Sequence, residues 1–134
     1  MESKELALLC VKAAIDKKAE HSLLFEVGKM GAFTDYFLVT SGASDRQVTA
    51  IANEIKRVAK EHGLPNPAME GLDEGRWVLI DFGYIVIHVF QEAIREFYDL
   101  ESLWSNAPRV NIPTDFYTQT QATTASSKQS HVPA

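Results

Sequence analysis

The chain has 134 residues, 46% of them hydrophobic and 23% charged, with a formal net charge of −5, which describes one globular domain with enough apolar mass to bury a core. A pI near 5.3 and the lack of any Lys/Arg cluster exclude a nucleic-acid binder that works by neutralising successive phosphates, and favour a basic partner instead. The single Cys10 can form no internal disulfide, no run reaches the roughly 18 apolar residues of a membrane span, and "MESKE" opens no cleavable signal, so a cytoplasmic protein is expected.

Apolar spacing predicts a first helix from Ser3 to about Lys18, with Leu6, Leu9, Cys10 and Ala13 on one side. "HSLLFEVG" and "DYFLVT" follow as strands, joined by the loop "KMGAFT". A second helix begins after "SGAS": Val48, Ile51, Ala52, Ile55, Val58 and Ala59 share a face, Ser44 with Gln47 fits a capping box, and Gly63 with Pro65 ends the run. "AMEGLDEG" holds a short strand and a loop. "RWVLIDFGYIVIHVF" is the strongest β signal and predicts a tight hairpin turning on Phe82-Gly83, with Asp81 facing Tyr84, Leu79 facing Val86 and Trp77 facing His88. One face of that hairpin, Val78, Ile80, Ile85, Ile87 and Val89, is wholly aliphatic and must be core. The opposite face, Trp77, Leu79, Asp81, Tyr84, Val86, His88 and Phe90, mixes aromatic and polar residues and is read as part core, part contact surface. The segment "EAIREFYDLESLWSN" predicts one last helix whose buried edge is Ala93, Phe97, Leu100 and Trp104, within a wedge of roughly 60° on a helical wheel. Residues 1–107 form the expected domain, and 108–134, ending in "QTQATTASSKQSHVPA", read as a disordered tail. The fold class is α/β (α+β): a mixed five-stranded sheet flanked by helices.

Catalytic patterns fail one by one. The Gly42 to Arg46 turn has neither the GxxxxGK[ST] of a P-loop nor GxGxxG, and "LIDFG" supplies one carboxylate where a nucleotidyltransferase needs a spaced pair for magnesium. Backbone N–H groups at a helix start can still bind an anion, so a nucleotide-handling enzyme using this turn is the alternative from a different class. No GxSxG surrounds Ser41 or Ser44, and His21, His62, His88 and His131 show no HxH or HxxxH spacing. No catalytic residue, metal or cofactor is expected.

Four blocks in order, "DYFLVTSGASDRQ", "EGLDEGRWVLIDFG", "IVIHVF" and "REFYDLESLW", resemble the bacterial ribosomal silencing factors of the Iojap-like family over roughly Glu5 to Ser105. The resemblance implies a nucleotidyltransferase-like fold without the chemistry. It also implies binding to ribosomal protein fourteen of the large subunit, a steric block to subunit joining that lowers translation in nutrient shortage, and a homodimer. Organelle relatives imply a second role, as large-subunit assembly factors. Carried onto this chain, the family positions are Trp77, Asp81, Gly83, His88, Arg95, Tyr98, Leu100, Glu101, Leu103 and Trp104, with Ser44 and Arg46 in the turn; Tyr84 stands where many relatives have Asp. The partner-binding set expected from face and family together is Trp77, Asp81, Gly83 and Tyr84 with Glu70 and Asp73 nearby, and Tyr98 and Trp104 as second choices.

Overall fold

Apolar stripes on two helices and alternating strands find one another across a five-stranded sheet of order β1-β2-β5-β4-β3, in a computed structural model that describes residues 2–117. Its elements are α1 (Ser3–Asp16), β1 (Glu20–Glu26), β2 (Tyr36–Gly42), α2 (Asp45–Glu61), β3 (Ala68–Glu70), β4 (Trp77–Asp81), β5 (Ile85–Gln91) and α3 (Glu92–Tyr98), followed by a 3₁₀ turn, Leu100–Trp104. The sheet is mixed as expected: β2 and β5 run parallel, while β1 with β2, β5 with β4, and β4 with β3 pair antiparallel.

Each face of the sheet has its own core. α1 and α2 lie over Leu24, Leu38, Val78, Ile80, Ile85, Ile87 and Val89, and this cluster holds the aliphatic hairpin face at 0% exposure. Cys10 is packed there too, and burial pushes its thiol up to about 12, which leaves it a small inert hydrophobe. On the opposite face Phe25, Val27, Phe37, Val39 and Phe90 form a smaller core under Ile94, Leu100 and Trp104.

Three expectations are corrected. The hairpin turns one residue later: Phe82 N–H donates to the Ile85 carbonyl, so Gly83 and Tyr84 form the loop. Gly83 takes a φ of +90°, which favours glycine, and its N–H donates to the Asp81 carboxylate at 2.8 Å. Moving the loop by one residue shifts the pairing by two, giving Asp81 with Val86, Leu79 with His88 and Trp77 with Phe90. A shift of two preserves the side-chain alternation, so both faces keep the strand residues expected of them, while Tyr84 moves from the mixed face into the loop.

The last helix is not continuous. Asp99 adopts left-handed dihedrals, φ 47° and ψ 48°, and ends α3 before the 3₁₀ turn. The wedge therefore breaks: Leu100 and Trp104 pack inward, but Ala93 is exposed and Phe97 is 79% exposed.

Packing also continues past the expected boundary at 107. Pro108 accepts from Glu26 N–H and Val110 N–H donates to the Leu24 carbonyl, each at 2.8 Å. Phe25 and Arg109 form an antiparallel bridge. Val110, Ile112 and Phe116 cover part of the helix-side core. The segment lies along the open edge of β1, where a bare row of N–H and C=O groups would invite aggregation. Residues 118–134, which hold most of the expected disordered tail, lie outside the described residues.

Candidate functional site: an open aromatic face of the sheet

The turn at Gly42 to Arg46 is used locally. Ser44 Oγ accepts from Gln47 N–H at 3.1 Å, and Gln47 Oε1 accepts from Ala43 N–H at 2.7 Å. The Gln47 amide then donates to the carbonyls of Lys17 and Lys18 at 3.2 and 3.1 Å, tying α2 to the end of α1. Side chains and two N–H groups that a nucleotide would need are thus spent on a helix cap.

The opposite sheet face is different, because α3 and the 3₁₀ turn cover only part of it. Phe90 is fully buried, whereas Trp77, Leu79 and His88 are half-buried and border an open groove of about 440 Å³. Alternation along β4 and β5 brings these side chains to one face, and the short α3 leaves them accessible. Trp77 lies 4.8 Å from Phe90 and 4.9 Å from Tyr98, centroid to centroid, so its indole is fixed in position. Its Nε1–H donates to His88 Nδ1 at 2.9 Å. An imidazolium could not accept that bond, and burial lowers the His88 pKa from 6.5 to about 4. His88 is therefore a neutral acceptor that orients Trp77.

Of the residues expected at a contact, Trp77, Tyr98 and Glu70 border this groove together. Glu70 and Asp73 are exposed, on β3 and on the loop that follows it. Asp81 and Gly83 stand at the hairpin tip, one holding the other, and Tyr84 beside them is 59% exposed. The Tyr84 carbonyl accepts from Asp35 and Tyr36 N–H, so its backbone is anchored. Trp104 is set apart: it is half-buried and packs on Phe37 at 5.7 Å, behind the groove. Arg76, Glu74 and Ile94 also border the groove without having stood out in the sequence. Phe97 and Leu103, 79% and 71% exposed, are further apolar surface that only the helix break at Asp99 reveals.

Arg95 does a structural job beneath. It is 6% exposed; its Nη1 donates to the His21 carbonyl and to Ser41 Oγ, both at 2.7 Å, and its Nε to Glu101 at 3.1 Å. These bonds fold the 3₁₀ turn back onto the sheet and so set the border of the groove. Among the described residues no helix is long and apolar enough to cross a membrane.

Comparison with known proteins agrees with this architecture. A family profile described as "Ribosomal silencing factor during starvation" matches residues 1–133. The ribosomal silencing factor RsfS of Halalkalibacterium halodurans is 44% identical over 112 residues, covering 84% of this chain and 96% of that protein. A crystal structure from Chromobacterium violaceum superposes with a TM-score of 0.76 at 34% identity, covering 84% of this chain and 92% of the other. One from Bacillus halodurans gives a TM-score of 0.72 at 44% identity, covering 81% and 98%. Sequence, superposed fold and extent of match agree, and the chain belongs to the ribosomal silencing factor family.

Proposed function

We propose that this chain silences ribosomes by occupation alone. The open sheet face docks on ribosomal protein fourteen of the large subunit, covers surface the small subunit must reach, and so represses translation in nutrient shortage without catalysis. The observation carrying this reading is Trp77, a half-exposed indole held rigid by His88, Phe90 and Tyr98 on a face that the fold leaves open. Rigid aromatics of this kind supply most of the affinity in protein interfaces. Glu70, Asp73 and Asp81 are exposed around it, on a chain of net charge −5, and suit a basic ribosomal protein by speeding encounter. Leu79 and Tyr98 extend the apolar contact, with Gly83 and Tyr84 at the tip and Trp104 in support from behind. Action in the cytoplasm and self-association as a homodimer belong to the same proposal. The same contact made during maturation of the large subunit would make the chain an assembly factor, a role differing in timing only.

The test is sedimentation of purified mature subunits with and without the protein. Co-migration with the large subunit and a fall in joined particles are expected. Trp77→Glu should remove both effects, a loss of at least about 2 kcal/mol in binding, with the circular dichroism spectrum unchanged. Leu79→Glu, on the same face, should do likewise and guards against misfolding of the first variant. Folded variants that bind normally would remove this face from the proposal, and a wild-type protein that migrates with neither subunit would overturn it.

A further inference from the structure

A second cavity, of about 400 Å³, lies where α3 begins, bordered by His21, Glu92, Arg95, Glu96, Asp99 and Glu101. Four carboxylates border it against one guanidinium, and that guanidinium is already committed to Glu101, Ser41 and the His21 carbonyl. Among the described residues no hydrogen-bond donor reaches two buried oxygens, Glu92 Oε1 and Glu101 Oε1. Carboxylate oxygens without a donor or a cation are costly in a protein interior, so their environment calls for positive charge.

The donor set for a cation is nearby. Glu20, His21 and Glu92 each offer a ligand atom, all within 4.8 Å of one another, and His21 Nδ1 is 3.2 Å from Glu92 Oε2. Neighbouring residues of a regular strand point to opposite faces, so Glu20 and His21 would not ordinarily converge. Here the pairing of β1 slips between Glu20 and Leu23, and His21 has a φ of 55°. The bulge breaks the alternation and lets both side chains reach Glu92 across the sheet end. Arg95 holds the His21 carbonyl from below, which fixes the bulge.

We propose that Glu20, His21 and Glu92 form a site for one divalent transition-metal ion, clipping the start of β1 to the start of α3. One imidazole and two carboxylates suit Zn²⁺, whose bonds of about 2.0–2.2 Å would place tetrahedral donors roughly 3.4 Å apart. Closing from 4.8 Å to that spacing asks for roughly 1.4 Å of movement, shared by the exposed Glu20 and His21 side chains and the part-exposed Glu92. Glu92 Oε2, 3.2 Å from His21 Nδ1, would meet the cation's charge, and Tyr98, at the other end of the seven-residue α3, would gain a firmer mount beside Trp77.

The experiment is calorimetric titration of Zn²⁺ into the chelator-stripped full-length chain. One ion per chain with micromolar affinity is expected, together with a rise of several degrees in melting temperature. His21→Ala and Glu92→Gln should each weaken binding at least tenfold, whereas His62→Ala should leave it unchanged. Zinc-edge X-ray absorption of the loaded protein should find one imidazole nitrogen among oxygen donors. Undetectable binding, binding that His21→Ala does not weaken, or Mg²⁺ binding as tightly as Zn²⁺ would each overturn the proposal. The His21 side chain is 70% exposed, so its replacement leaves the apo fold intact, and the circular dichroism spectrum of the variant confirms it.

Discussion

Acidification should destabilise this protein through His88, and the size of the effect follows from its surroundings. The imidazole sits against Phe37 at 5.0 Å and Trp77 at 5.9 Å and accepts the indole N–H. Protonation would desolvate a charge and turn the acceptor into a second donor facing the first. The pKa is accordingly lowered from 6.5 to about 4. A base whose pKa falls on folding binds protons better in the unfolded chain, so its contribution is complete above about pH 6.5 and declines as pH drops towards 4. Linkage with these two values gives a loss of roughly 2 kcal/mol between pH 7 and pH 5, out of a total stability of about 5–15 kcal/mol. Urea unfolding at pH 7, 6 and 5 measures it. Because other groups also titrate, the informative quantity is the difference between the wild-type chain and His88→Asn, whose amide oxygen replaces Nδ1 as acceptor without titrating. The wild type should lose about 2 kcal/mol more than the variant over this window. Parallel pH profiles would refute the reasoning and show that His88 is solvated enough to protonate in place.

Two other substitutions test the scaffold around the groove. Arg95→Ala leaves Glu101, Ser41 and the His21 carbonyl without their donor, and should cost about 3 kcal/mol by urea unfolding while loosening the 3₁₀ turn, seen as faster amide exchange at residues 100–104. Gly75→Ala places a Cβ 2.6 Å from the Asp45 carbonyl oxygen at a φ of +74°, and should cost roughly 2–3 kcal/mol. A variant as stable as wild type would mean that the loop from β3 to β4 is not held against α2.

The sequence by itself determined the order and type of almost every element, because the period of apolar residues separates helix from strand wherever one face is buried. It also determined which hairpin residues are core. Val78, Ile80, Ile85, Ile87 and Val89 are apolar at every second position, and parity survives an error of one residue in the turn. The cap at Ser44 and Gln47 was legible because capping is local. What tertiary structure decided were the contacts made between distant segments. The turn moved to Gly83-Tyr84 because the Asp81 carboxylate and the neighbouring β1–β2 loop fix the backbone there, through Gly83 N–H and the Tyr84 carbonyl. The helical stripe through Phe97 failed at Asp99, where a left-handed residue and the part-buried Arg95–Glu101 pair redirect the chain. Helical periodicity had no means to register a pair that needs β1, β2 and the 3₁₀ turn together. For the same reason the convergence of Glu20 and His21 on Glu92 has no sequence signal: 71 positions separate His21 from Glu92, and only a bulge in one strand and the start of one helix bring them within reach.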